Sequence, residues 1–385
     1  MKLLKTAEKE KRIKIVETYV SELEQYIVFA YLFCMLGIFP LYYKEQYYGI
    51  GNAKFEFFWK ISLGFIGVSL IFFVVKFVLE KILNNTFSNK SIRNSYKIEE
   101  HKKENVLLRY LDNLSTLDYV VFIYAICVLL SYGFSDFKDF AFKGAPGWEM
   151  GLCSQMIFVA LYFILSRQEE LFVKIQSLRG ESRYQDLAQL VLIVNLIASS
   201  IAFLLGILHR FEIDPLGMYE GLELKQKVEF LSTIGQATWF SSYVCTVFAV
   251  GVIVFYISEK RWVRLVAGIY SGICFGVLVT QNSDSAFIAI GGIMLLLGYY
   301  SLSDLKKWCR FWQIVSLMWG TFAGIGVLQK VFAHRVIPLD TLSIFFSQSS
   351  VTWVMLVISL GIYLFYRNCY KKEIIKKSTT DTKIK

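Results

Sequence analysis

Ten apolar runs of roughly 20 residues punctuate this sequence, and each is long enough to cross a ~30 Å hydrocarbon core as a helix. They fall near 26–43, 57–79, 117–135, 150–166, 187–208, 238–257, 263–280, 285–302, 311–331 and 351–366. In lipid the backbone must satisfy its own N–H and C=O groups, so runs of this length are expected as helices. The expected fold class is therefore all-α, a polytopic integral membrane protein with about ten transmembrane helices. The balance of the 385 residues agrees: 55% are hydrophobic, 19% are charged, and the mean hydropathy is +0.48. The longest connections, near 80–116 and 209–237, are too short to bury a substantial core of their own. No strands, repeats or low-complexity tracts are expected.

Charge decides the orientation. With the N-terminus inside, 31 of the 41 Lys and Arg fall on the inner side and 10 on the outer. Every inner segment is basic, which is the bias that orients membrane proteins, so both ends are expected in the cytoplasm. The organisation that follows is a cytoplasmic basic segment at 1–25, a membrane domain at 26–366, and a basic tail at 367–385 without fixed structure. The first apolar run is expected to act as an uncleaved anchor. The net charge of +10 flanks apolar runs instead of forming one soluble face. It is read as topology and attraction to anionic membrane lipids, with no nucleic acid as partner. The seven Cys show no CxxC spacing and lie in or beside apolar runs, so they are read as small core residues, with no metal site and no disulfide frame.

A few polar residues stand out against this background. His209-Arg210 and His334-Arg335 both fall at outer ends of helices. Cations there either snorkel to the headgroups or hold an anion, since Arg grips phosphate oxygens through paired, charge-assisted hydrogen bonds. His334 is a candidate base. Asp284, in VTQNSDSAF, sits in a tight connection near the membrane surface. It either caps the following helix or takes part in chemistry. Gly268, Gly272 and Gly276 line one helix face, as do Gly320 and Gly324, which is a helix-packing signal. His101 belongs to the basic inner loop and is expected to be solvated.

Three stretches carry a resemblance. LLGILHRFEIDPLGMYEG, FLSTIGQATWFSSYVCTVFAVGVIVFY and VLVTQNSDSAFIAIGGIMLLL, spanning about 187–331, resemble the core of the O-antigen ligase and polysaccharide polymerase superfamily. Family members show an IDPxGxY stretch after one helix, a Gly-Asn-x-Asn entry to the next, and a Ser-Arg turn opening a later one. Here the second element reads Gly235-Gln236-Ala237-Thr238 and the third Ser283-Asp284-Ser285. The resemblance implies a multi-pass protein of the bacterial plasma membrane that transfers glycan from undecaprenyl pyrophosphate at the outer face. It implies neither a cofactor nor a metal. It strengthens Arg210, Arg335 and His334 as candidates. Together with the polar residues above, the expected substrate-binding residues are Arg210, Arg335, His209 and Gln236, and the expected catalytic ones His334 and Asp284. Two other readings stay open: a catalytically degenerate or non-enzymatic member working with polysaccharide assembly proteins, and, with least support, a transporter. A transporter would show repeats and midplane polar breaks, whereas polar residues here gather at the outer boundary.

Overall fold

The computed structural model describes residues 2–87, 114–167 and 182–384. His101 and most of the basic stretches between the second and third spans and between the fourth and fifth lie outside the described residues. The chain divides into two compact units, residues 1–39 with 51–192, and residues 40–50 with 193–385.

The first unit is built from α1 (Lys2–Phe33, closed by a π-helical turn Cys34–Ile38), α2 (Gln46–Phe87), α3 (Thr116–Phe134), the short α4 (Lys138–Lys143) and α5 (Leu152–Ser166). It also takes the start of α6 (Ser182–Arg210). Tyr31 of α1 stacks on Phe65 of α2 at 4.2 Å between ring centres, and its hydroxyl bonds Ser62 Oγ. Pro40 has no N–H to give back to the end of α1. Lys54 Nζ instead donates to the Phe39 carbonyl at 2.8 Å. Ser115 caps α3, and Asp118 returns the bond from the third helical position, a reciprocal capping box. The same buried Asp118 accepts from Tyr162 and Arg167, so its carboxylate ties the start of α3 to the end of α5.

The second unit holds most of α6, then α7 (Leu224–Glu229), β1 (Phe230–Leu231), β2 (Gly235–Gln236), α8 (Ala237–Ile257) and α9 (Arg261–Leu278). It continues with α10 (Asp284–Ser301), α11 (Leu305–Val331), α12 (Thr341–Gln348) and α13 (Ser350–Ile384). Its core is aromatic: Phe203, Phe240, Phe248 and Phe275 are fully buried and packed in sequence across α6, α8 and α9. Small residues let the backbones close. A Cβ on Gly251 would meet the Tyr270 ring at 2.4 Å. Gly268 faces Phe255, and Gly272 and Gly276 face Thr321, so the small-residue face of α9 serves helix packing.

Among the described residues nine helices are long and apolar enough to cross a membrane. α5, with 15 residues, is the shorter tenth run. The protein is thus an all-α, multi-pass membrane protein. Two expectations are corrected, on strands and on the tail. A small antiparallel ribbon exists, with Phe230 opposite Gln236 and Leu231 opposite Gly235. It is two residues per strand, too short to leave an alternating pattern. The connection after α11 carries the short α12. The tail after 366 continues α13 as helix to Ile384, because its Lys-rich sequence is compatible with helix and grows from one already formed.

Candidate functional site

The site forms where α6 stops. Ile213 N–H bonds the Leu208 carbonyl and Glu212 N–H bonds that of His209, both at 3.0 Å, and Glu212 adopts φ +53°. This is a Schellman ending with a non-glycine residue in the left-handed position. It turns the chain sharply, so His209 and Arg210, in the last helical turn, stay inside the protein with no exposed surface. A Pro215–Gly217 turn follows, and Asp214 Oδ2 accepts the Tyr219 N–H at 2.6 Å.

His209 is held at Nδ1, while Nε2 lies close to Asp214 Oδ1 without a hydrogen bond among the described residues. Its Nδ1 accepts the Ser232 N–H at 3.0 Å, which places the proton of a neutral ring on Nε2, 3.3 Å from Asp214 Oδ1. Ser232 reaches this position because the β1–β2 turn is buried. Its backbone is left-handed at φ +59°, its hydroxyl donates to the Ala202 carbonyl, and its own carbonyl accepts from Tyr47. Thr233 of the same turn donates to the Pro40 carbonyl at 2.8 Å. Tyr219 lies over the His209 ring at 4.8 Å. Burial pushes the Tyr219 phenol above its usual range, so it remains a neutral donor to the Phe230 carbonyl.

Arg210 is the centre. Its carbonyl accepts the Ile337 N–H at 3.0 Å, and its Nε donates to the Thr280 carbonyl at the end of α9. Its two terminal nitrogens, Nη1 and Nη2, are buried and have no hydrogen-bond partner among the described residues. Asp340, Tyr47 and Tyr219 are the ionisable side chains that act on it electrostatically. Asp340 caps α12 by accepting the Ser343 N–H at 2.6 Å through Oδ1, while Oδ2 is buried and unbonded among the described residues. Asn282, left-handed at φ +58°, clamps the approach: it donates to the Pro338 carbonyl and accepts the Asp340 N–H.

The structure brings some expected residues together and leaves others apart. Arg210 and His209 share the buried cluster. His334 and Arg335 sit on an exposed 3-10 turn, three and two residues before the Ile337 clamp on Arg210. Asp284 is exposed in the first turn of α10, and Ser283, the capping residue, makes no side-chain cap bond. Gln236 pairs in the ribbon and caps α8 by position. Gln281 turns inward, accepting from Ser241. Tyr47, Ser232, Asn282 and Asp340 were not among the expected site residues. For Asp340 a signal exists, since Asp-Thr-Leu-Ser is a helix-start pattern. Tyr47 has none, because it meets the site from 162 positions away in sequence. Among the described residues no group of His, Cys, Asp and Glu is arranged to hold a metal. No protein-family model matches the chain, and no curated protein or solved structure is similar to it.

Proposed function

We propose that this chain is a membrane glycosyltransferase, a ligase or polymerase that takes its glycan from undecaprenyl pyrophosphate at the outer face of a bacterial plasma membrane. The observation that carries the reading is Arg210. A buried guanidinium with two unpaired nitrogens is costly, by several kcal/mol for an uncompensated ion. An anionic group bound there would supply the missing acceptors. Arg is the side chain suited to two oxygens of one phosphate. The location at the end of a spanning helix suits a lipid whose headgroup is charged and whose tail stays in the bilayer.

The chemistry follows from charge. An acceptor hydroxyl attacks the anomeric carbon, the bond from that carbon to the pyrophosphate oxygen breaks, and the bonding pair leaves with the pyrophosphate. Negative charge grows on the departing oxygen, where a fixed cation lowers the barrier most. Arg210 serves this role, with Arg335 as a second cation on the exposed turn. The hydroxyl proton needs an acceptor, and His334 and Asp284, both exposed, are the groups assigned to it. His209 and Gln236 belong to the substrate-binding set through the walls they build: His209 pins the Asp214 and Ser232 loops.

A second reading is a non-enzymatic partner of polysaccharide assembly proteins. It is favoured by one observation: the histidine inside the cluster has Nδ1 committed to a backbone N–H, so the interior holds no free imidazole base. The test is a surface-glycan profile in a deletion strain complemented with Arg210→Gln, His334→Ala or Asp284→Asn. The enzymatic reading expects wild-type amounts of protein in the membrane and loss of long glycan chains, most severely for Arg210→Gln. An unchanged chain-length distribution in all three overturns it.

A further inference from the structure

The connection between α3 and α5, residues 135–151, is a compact elbow whose depth can be read from the two helices it joins. α3 and α5 pack antiparallel, and their register is pinned at three levels. Asp118 meets Tyr162 and Arg167 at one end, Phe122 meets Phe163 with ring centres 4.7 Å apart, and the Tyr124 hydroxyl donates to Gln155. With their Asp118 ends level, α5 finishes roughly one to two turns, about 5–10 Å, short of the far end of α3. α5 has 15 residues, about 22 Å at ~1.5 Å per residue, against a hydrocarbon core of ~30 Å. The elbow has to cover that shortfall, so it runs down beside the last turns of α3. Phe142 duly lies next to Tyr132, with ring centres 5.9 Å apart.

Its surface and its backbone fit such a depth. Phe134, Phe137, Phe140, Trp148 and Met150 are 86%, 74%, 60%, 61% and 53% exposed. Phe137 caps α4 and Phe140 lies in it, while Asp136, Asp139 and Lys143 alternate with these rings along the same short segment, so charged groups for the headgroups stand beside aromatic ones for the acyl-chain boundary. Irregular backbone is tolerated in lipid only when its polar groups are satisfied internally. Here Lys138 Nζ caps the end of α3 by donating to the Tyr132 and Gly133 carbonyls, both at 2.7 Å. The Gly144 N–H bonds the Phe140 carbonyl, the Gly151 N–H bonds that of Lys143, and the Trp148 and Glu149 N–H groups share that of Ala145. Side chains add two more, with Ser135 Oγ accepting from Phe137 N–H and Gln155 donating to the Met150 carbonyl. Gly144, at φ +97°, has its Cβ position 2.4 Å from the Met150 nitrogen, so only glycine closes the elbow this tightly.

We propose that residues 135–151 form a lipid-seated elbow, with Phe134, Phe137, Phe140 and Trp148 in the acyl-chain boundary of the outer leaflet and Asp136, Asp139 and Lys143 turned to the headgroups. The occupant of this aromatic surface is lipid. The surface is continuous with the exposed apolar side of α3, where Leu129 and Leu130 point out of the protein. Nothing in this inference depends on a glycan substrate.

The test adds one tryptophan at a time to the full chain in phospholipid vesicles: Phe137→Trp, Phe140→Trp, and Leu224→Trp on α7 as an aqueous control. All three positions are exposed, so the substitutions leave the packing intact. The added emission at 137 and 140 is expected to be lost in vesicles of phosphatidylcholine brominated near the glycerol end of its chains, and to resist aqueous iodide. The control is expected to behave in the opposite way. Iodide quenching at 137 and 140 equal to that at 224 overturns the proposal, and so does emission immune to both quenchers, which would place a protein surface over the elbow.

Discussion

Arg210 presents a stability problem that its neighbours only partly relieve. One nitrogen, Nε, is bonded to Thr280, and the two others are buried without partners among the described residues. A residue kept for folding would complete its bonds, whereas one kept for a ligand leaves them open. The two roles predict different thermal behaviour. A buried guanidinium without partners for two nitrogens carries a desolvation cost that an apolar side chain of similar length removes, while the Thr280 carbonyl loses one bond worth about 1 kcal/mol. Arg210→Met is therefore expected to unfold within about 1 kcal/mol of wild type in detergent while abolishing glycan transfer. A fall of about 3–5 kcal/mol, the cost of breaking a buried pair, would make Arg210 structural. Sequence marked Arg210 and His209 because cations at an outer helix end oppose the charge bias. It did not show that they are buried, since their burial comes from segments near 47, 232, 280 and 337 closing over them. Glu259 offers a second check at this scale, just past the C-terminal end of α8. Lys306 chiefly, with Arg310, holds its carboxyl below the usual carboxylate range. A depressed value means that the pairing adds stability above the unfolded value of ~4.3 and loses it as pH falls through the folded one. Glu259→Gln is expected to flatten the drop in melting temperature below about pH 4.3, by a small amount because the side chain is exposed. An unaltered pH slope would show that the pairing contributes nothing.

At the scale of elements, legibility follows length. Every run of about 20 apolar residues returned as a helix, with ends displaced by a turn or more where polar residues extended it: α2 begins at Gln46, eleven positions before the apolar run. The pieces that build the site are shorter. α7, the β1–β2 ribbon and α12 have six, two and two, and eight residues. A hydrophobic period needs about 11–18 residues to declare itself. α12 is the instructive case, because neither its position nor the glycine it packs against was picked out by spacing. It returns along α11 so closely that a Cβ on Gly326 would sit 1.8 Å from the Ser347 carbonyl oxygen. Ser347 and Gln348 then reach Gln329, and Lys330 reaches the Gln348 carbonyl, which holds the α12 end in place. The glycines picked out by spacing were Gly320 and Gly324, yet a Cβ on Gly324 meets nothing within 4 Å. The pair gives a direct comparison. Gly326→Ala is expected to cost about 1–3 kcal/mol or more, because backbone must move, and Gly324→Ala to be neutral or slightly stabilising. Thermal unfolding of the two purified variants decides it, and equal midpoints would mean that α12 does not lie against α11.

For the whole molecule, one even count carries the arrangement of every polar residue. Among the described residues nine helices are long enough to span, and the short α5, counted as a tenth crossing, would return the chain to the side where it began. The weak link is α5, whose 15 residues would be discounted by length alone. If α5 did not cross, everything after it would invert. Arg210, Asp340 and the 3-10 turn would then face the basic inner side, where no lipid-linked glycan is transferred. The ties between α3 and α5 argue for crossing: a helix pinned antiparallel to a spanning helix through Asp118, Phe122 and Tyr124 runs through most of the same depth in the opposite direction, with the 135–151 elbow covering the remainder. Ten crossings also keep the Lys and Arg bias consistent on both sides of α5, whereas nine would place Lys260, Arg261, Lys306, Lys307 and the seven cations after residue 366 outside. Reporter fusions read this directly. Alkaline phosphatase joined after residues 143, 222 or 338 is expected to be active, and joined after 167, 260 or 304 inactive. Green fluorescent protein at the C-terminus is expected to fluoresce, since it folds only in the cytoplasm when exported this way. Activity after 143 together with activity after 167 would show that α5 stays on one side. That result would move Arg210 to the cytoplasmic face and, with it, remove the outer-face donor from the proposed reaction.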